Sequence, residues 1–311
     1  MARYLVTGGA GFIGSHIARK LVEESQEVLV LDNFSTGKRE NLDGILDKIT
    51  LIEGDIRDKE LVRNSLRGID FILHQAALRS VPKSVNDPIT YNDVNVTGTL
   101  NLLLVAREAG VKRLVLASSS SVYGDAKKMP EREDQLPAPI SPYAATKLAG
   151  EYYCGFCSAV YGLETVSLRY FNVFGPRQSL ESEYAVVIPK FISCMLKDAA
   201  MPIYGDGKQS RDFTYIDNVV QANILASRAK LQCPQVFNVA SGHAYSVLDL
   251  VANLNKIMKK NIKPDFLPLR SGDVRHTLAD ISKARRLLGF NPEIDFVEGL
   301  ERTVKWFESQ R

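Results

Sequence analysis

The chain has 311 residues, 45% hydrophobic and 24% charged, enough to bury a large core and to divide into two lobes. Its 39 lysines and arginines stand against 36 acidic residues, a net charge of +3 without clustering, which argues against a nucleic-acid or polybasic membrane surface. No apolar run approaches the roughly 18 residues that span a bilayer, and MARYLVTGG enters a strand at once, leaving no room for a signal peptide, so a cytoplasmic location is expected.

In chain order, strands are predicted at YLVTG, EVLVLDN, ITLIEGDI, DFILHQAA, RLVLASSS and TVSLRYFNV, with a later one at QVFNVASG. They are short, apolar on both faces and rich in Val, Ile and Leu, as buried parallel strands are. Helices such as SHIARKLVEES and TGTLNLLLVAREAG, the latter ended by Gly110, lie between them. Such β-α alternation predicts an α/β fold with a doubly wound parallel sheet. After Gly175-Pro176 the pattern loosens, with one helix at VVIPKFISCMLKD and two more beyond residue 243. These segments are expected to form a smaller discontinuous lobe, about 176–208 plus 243–311. Residues 1–175 plus about 209–242 would form the dinucleotide-binding domain.

TGGAGFIG at 7–14 sits between the first strand and the first helix. Gly8, Gly11 and Gly14 permit a tight turn and close approach of a pyrophosphate to the helix N-terminus. Asp32 ends the second strand at the distance where a carboxylate holds a ribose diol and repels a 2′-phosphate, favouring NAD over NADP. Lys38 and Arg39 argue the other way, unless they are solvated loop charges. Asp55 ends the third strand and is either an adenine contact or a helix cap. Tyr143 and Lys147 in SPYAATK are four apart, on one face of a helix, where an ammonium lowers the pKa of a phenol. Cys154 and Cys157 form a CxxC inside a helical stretch, read as packing rather than redox or metal chemistry. His16, His74, His243 and His276 form no metal-ligand pattern.

TGGAGFIG, Asp32, SSSSVYGD, SPYAATK, LRYFNVFGPRQ and RDFTYID together resemble the extended short-chain dehydrogenase/reductase superfamily, a Rossmann-like fold. Within it they are most similar to UDP-glucose/UDP-N-acetylglucosamine 4-epimerases. The resemblance implies NAD as cofactor, no metal, a UDP-sugar substrate and a homodimer. It puts Ser119, Tyr143 and Lys147 in the catalytic roles, Tyr143 as phenolate exchanging the proton of the sugar 4-hydroxyl. Around the cofactor it places Gly8, Gly11, Phe12, Ile13, Gly14, Asp32, Asn33, Ser35, Thr36, Gly37, Asp55, Ile56, Gln75, Ala76, Ala77, Asn95, Ser118 and Tyr170. Around the sugar nucleotide it places Arg79, Ser80, Ser120, Ser121, Asn172, Val187, Tyr204, Arg211, Arg270, Asp273 and Thr277.

Relatives that remove water carry Asp and Glu where this chain has Ser120 and Ser121, and the decarboxylases keep a Glu at the second, so the resemblance implies epimerisation. Thr277 matches a gatekeeper position where a bulky Tyr excludes N-acetylated sugars. Arg79 departs from the glycine of the branch that prefers N-acetylated sugars, and there it would narrow the pocket, contact the cofactor side or attract a sugar carboxylate. Use of both UDP-glucose and UDP-N-acetylglucosamine pairs is expected, with a UDP-uronic acid pair as the alternative. A sugar-nucleotide reductase or dehydrogenase, or a non-catalytic dinucleotide-binding protein, are the other readings.

Overall fold

In the computed structural model, residues 1–179, 187–268 and 274–310 are described. Strands β1 (Arg3–Thr7), β2 (Glu27–Asp32), β3 (Thr50–Glu53), β4 (Phe71–His74), β5 (Arg113–Ser119), β6 (Glu164–Tyr170) and, later in the chain, β11 (Gln235–Val239) form one parallel sheet. Its order is β11-β6-β5-β4-β1-β2-β3, so the winding direction reverses between β1 and β4 and leaves a crevice at their carboxyl ends. All seven sheet strands expected from the sequence are present.

Successive residues of each strand point to opposite faces, and both faces are covered. Tyr4 and Val6 join Ile17 of α1 (Phe12–Glu23) and Val219 of α8 (Ile216–Arg228) in one buried cluster. Leu5 and Leu31 join α2 (Lys59–Ser65), α5 (Gly98–Glu108) and α6 (Pro142–Tyr161) through Val62, Leu102 and Cys154 in the other. Cys154 and Cys157 are buried there, and burial pushes both thiols up, so they pack as apolar groups.

The β4–β5 crossover begins with the short α3 (Val81–Asn86) and α4 (Pro88–Asn92), and a π-bulge at Asp93–Thr97 joins α4 to α5. Beyond β6 come β7 (Val173–Phe174), α7 (Val187–Leu196), β8 (Pro202–Tyr204), β9 (Ser210–Asp212) and β10 (Thr214–Tyr215). After β11 follow β12 (Ala244–Ser246), α9 (Val247–Ile257), β13 (Asp265–Leu267), α10 (Ser282–Leu288) and α11 (Phe296–Ser309). Three two-stranded pairs, β7 with β10, β9 with β12 and β8 with β13, tie these segments together. Phe174, Phe213 and Phe296 continue the first cluster into them, with Phe213 and Phe296 stacked at 5.3 Å. This fixes the later segments beside the carboxyl ends of the sheet strands.

Candidate active site

The cleft at these strand ends has a volume of about 1730 Å³ and runs from the β1–α1 turn past the end of β5 to Thr277. At one end Gly8 has φ +65, and any Cβ there would lie 2.6 Å from the Ala76 nitrogen. A Cβ on Gly14 would overlap the Gly8 carbonyl. No side chain caps α1 and no acid sits in its first turn, so the N–H groups of Phe12 and Ile13 are left for an anion. Asp32 is 7% exposed, accepts from the Ala10 and Phe34 amides at 2.9 and 2.8 Å, and is raised by burial against those bonds. Gly37 stands behind it, where a Cβ would approach both carboxylate oxygens to 2.9 Å. A bare turn, an open helix end and a strand-end carboxylate fit a dinucleotide diphosphate and its ribose.

Asn33, Ser35, Thr36, Asp55, Ile56, Gln75, Ala76, Ala77 and Tyr170 also line the cleft. Asp55 is held down to about 2, chiefly by the Arg57 guanidinium, and accepts the Asn33 amide at 2.8 Å. Of the two cations that pointed to NADP, Arg39 pairs with Glu53 at 3.3 Å, while Lys38 lines the cleft.

The four serines after β5 divide their work. Ser118 lines the cleft, while its hydroxyl donates to the buried Glu151, which pairs with the equally buried Arg169 at 2.7 Å. Ser119 accepts from the Ser121 amide at 3.2 Å and from its hydroxyl at 2.9 Å. Its own proton is therefore available to the Tyr143 phenol, with which it hydrogen-bonds. Ser120 and Ser121 line the cleft without a carboxylate between them.

Tyr143 stands in the first turn of α6, its amide donating to Ser84 Oγ at 3.1 Å. Burial raises its phenol, while the Ser119 bond and then the Arg79 charge pull it down. Lys147 is buried, donates from Nζ to the Ala117 carbonyl at 2.9 Å, and lies 5.9 Å from the Tyr143 ring centroid. Burial lowers it to about 8. A cleft that fits a dinucleotide and ends in a serine, a tyrosine and a lysine is an arrangement that can couple a cofactor redox step to proton transfer at a substrate oxygen.

Other expected contacts are placed differently. Asn95 is buried in the π-bulge, where it accepts from the Leu78 amide and donates to the Leu78 carbonyl and Thr146; it holds the loop after β4 and does not line the cleft. Ser80 caps α3, accepting from Lys83. Both amide hydrogens of Asn172 have protein acceptors, the Asp212 carbonyl and Thr277 Oγ1, each at 3.1 Å. Asn172 thus lines the cleft with its amide hydrogens engaged by the protein. Thr277 and Arg211 line the cleft, and Arg211 donates to the Ser210 and Arg275 carbonyls at 2.9 and 3.1 Å. Val187 and Tyr204 lie outside the described lining, Val187 packed on the core and Tyr204 under Lys190. Arg270 and Asp273 lie outside the described residues.

Residues not singled out from the sequence also line the cleft, among them Arg177, Gln178, Val85 and Ile140. Arg177 has φ +65, a left-handed conformation unusual for its type, within the Pro-rich turn where the strand pattern had ended. It is part of the LRYFNVFGPRQ stretch, from which no role was read for it.

Residues 4–240 match the NAD dependent epimerase/dehydratase family. The chain is 38% identical to a UDP-glucose 4-epimerase of Lactobacillus helveticus, covering 99% of this chain and 97% of that one. A solved UDP-N-acetylglucosamine 4-epimerase from Methanobrevibacter ruminantium M1, in complex with UDP-N-acetylmuramic acid, superposes with a TM-score of 0.96 at 42% identity, covering 100% and 99% of the two chains. A Bacillus cereus UDP-glucuronic acid 4-epimerase, solved with UDP-glucuronic acid and NAD, superposes at 0.91 with 34% identity, covering 99% and 100%. The chain belongs to the NAD-dependent epimerase/dehydratase family of extended short-chain dehydrogenases/reductases, and its cofactor is NAD.

Proposed function

We propose that the chain is a UDP-sugar 4-epimerase that inverts C4 of UDP-hexoses, taking both the UDP-glucose/UDP-galactose and the N-acetylated pairs. The observation that carries this reading is the end of β5. Ser119, with its proton directed to Tyr143, is followed by Ser120 and Ser121, so the cleft there offers neither acid nor base for removing another group from the sugar.

NAD, when bound, supplies a two-electron acceptor and donor for sugar C4. Tyr143, as phenolate, takes the proton of the 4-hydroxyl and returns it once the 4-keto sugar has presented its other face. Ser119 hydrogen-bonds the same oxygen, and its bonds from Ser121 fix its rotor for that purpose. Lys147, anchored on Ala117, holds positive charge beneath the tyrosine. The reaction is redox-neutral, so the cofactor stays bound. Thr277, small and lining the cleft, leaves space for an N-acetyl group, while its hydroxyl accepts from Asn172 and the Asp212 amide.

A UDP-uronic acid pair is the second reading. Arg79 favours it, as a cation lining the cleft with no hydrogen-bond or carboxylate partner among the described residues.

Purified protein without added cofactor, given UDP-galactose, UDP-N-acetylgalactosamine or UDP-glucuronate separately, should yield the 4-epimer by NMR with no net NADH. Tyr143→Phe should abolish turnover with NAD retained. Stoichiometric NADH, or a dehydrated sugar, would refute the epimerase reading.

A homodimer belongs to the same proposal. Tyr152, Phe156 and Val160 lie four apart on α6 and are 64%, 42% and 61% exposed, an apolar stripe suited to a second copy of the chain.

A further inference from the structure

A buried ion pair stands directly behind Ser119 and Tyr143, and the proposed chemistry does not use it. Glu151 of α6 and Arg169 of β6 have side chains 4% exposed each. Arg169 donates from Nε to Glu151 Oε1 at 2.9 Å and from Nη2 to Oε2 at 2.7 Å, so the two groups meet fork to fork. Taking two charges out of water is costly, and apolar side chains of similar volume commonly fill such a space with no loss of stability. Stability alone therefore does not account for the pair. What it supplies, and apolar groups do not, is direction.

Those directions converge on the two segments that carry the catalytic groups. Tyr143, Lys147 and Glu151 follow one another at four-residue spacing on one face of α6. That face is fastened to the end of β5 at two successive residues. Lys147 Nζ donates to the Ala117 carbonyl at 2.9 Å, and the Ser118 hydroxyl donates to Glu151 Oε1. Ser118 and Arg169 are register partners on adjacent strands, so their side chains leave the sheet on the same face, the one α6 covers. The next residue of β5 is Ser119, which caps the short 3-10 turn Ser120–Tyr123. Arg169 reaches the far end of that turn as well. Its guanidinium carbon lies 4.7 Å from the Tyr123 ring centroid, and the Tyr123 hydroxyl donates to Asn238 at 2.7 Å. The pair thus grips the helix that carries Tyr143, the residue before Ser119 and the last residue of the turn that Ser119 caps.

We propose that Glu151 and Arg169 are positioning residues whose pairing sets the register between α6 and the end of β5, the register in which Ser119 meets Tyr143. This rests on Ser119 and Tyr143 acting together, as in the epimerase reading. Neither residue of the pair is in the described lining of the cleft, so its effect on the reaction passes through that contact. A slip of α6 along the sheet lengthens the hydrogen bond between Ser119 and Tyr143 and leaves the dinucleotide turn between β1 and α1 in place.

The test compares NAD-loaded wild type, the double variant Glu151→Met/Arg169→Met, and Arg169→Lys, each with and without Ser119→Ala. The double variant removes both buried charges at similar volume. Arg169→Lys keeps the charge balance and replaces the fork by a point charge. The kcat for the 4-epimerisation should fall about tenfold in the double variant and several-fold in Arg169→Lys, with KM and bound NAD little changed. The deciding readout is the coupling. Ser119→Ala should cost much less in either variant than in wild type, because the contact it removes is already displaced. Ultraviolet absorbance of the Tyr143 phenolate, with Tyr143→Phe as the blank, makes the same comparison without turnover. Its midpoint should rise in both variants, and Ser119→Ala should add little further. A full effect of Ser119→Ala in both variants, or wild-type kcat in a folded double variant, would overturn the proposal. If the double variant does not fold, Arg169→Lys carries the same two outcomes by itself. If wild type epimerises no sugar, the epimerase reading fails, and the phenolate comparison still decides the role of the pair.

Discussion

Single residues decide the chemistry of this cleft, and several of them do so through partners that a linear motif does not display. Ser119 is fixed by Ser121 and turned to Tyr143, so Ser121→Ala should free its rotor and lower kcat several-fold with little change in KM, read from initial rates of epimerisation. Lys147→Met should cost more, on the order of 100-fold in kcat, because it removes both a charge beneath Tyr143 and the bond to Ala117. Tyr143, Lys147 and Asp32 were legible from spacing because each sits at a fixed offset from a strand or helix end. Asn95 and Ser80 bond neighbouring backbone outside the described cleft lining, since whether a polar side chain faces a ligand or its own backbone depends on the turn it occupies.

At the scale of elements, the β1–α1 turn and the loop after β4 form one unit, because Gly8 packs on the Ala76 backbone. Gly8→Ala combines a positive φ with a 2.6 Å approach to the Ala76 nitrogen, so it should destabilise the fold by about 2 kcal/mol or more and release NAD on gel filtration. Asn95→Ala removes three hydrogen bonds from the π-bulge and should lower stability by about 1–3 kcal/mol, measured by denaturant unfolding. On α6 the exposed Phe156 is the centre of the apolar stripe. Phe156→Arg should shift the chain toward monomer in sedimentation, with the secondary structure unchanged by circular dichroism. The sheet strands themselves were readable because burial on both faces forces long apolar runs, whereas the two- and three-residue strands such as β7 and β10 carry too little pattern to be read.

At the scale of the whole molecule, two buried carboxyls, Glu131 and Asp212, meet in a way that no motif announced. Glu131 is 1% exposed, lies beside Asp212 and Arg211, and keeps Oε2 without a partner among the described residues. Burial, with the Asp212 charge adding to it, raises Glu131 to about 8; burial also raises Asp212 to about 6, against four hydrogen bonds from Ser241, Gly242 and Ala279. Folding therefore favours the protonated forms. This contribution is complete below the ordinary carboxyl range near 4 and is lost as pH rises toward about 8 for Glu131. Glu131→Gln should flatten the loss of melting temperature across that interval, and the difference between the two proteins should vanish at low pH. The pair arises where residue 131 bridges to Ala279 and β9 brings Asp212 alongside, a meeting of three distant segments.

By itself the sequence determined the doubly wound sheet, the glycine-rich turn after β1 and the Tyr143–Lys147 spacing on one helix, because these follow from periodicities and offsets within continuous stretches, whereas Ser119 was singled out by family resemblance. Only the tertiary structure decided which polar groups face the cleft. It turned Ser118 to Glu151, Asn172 to Thr277 and Asn95 to Leu78, and held Arg79 over the same cleft as Tyr143. The physical reason is that a buried polar atom must find a partner wherever the chain brings one, and those partners lie tens of residues away in sequence.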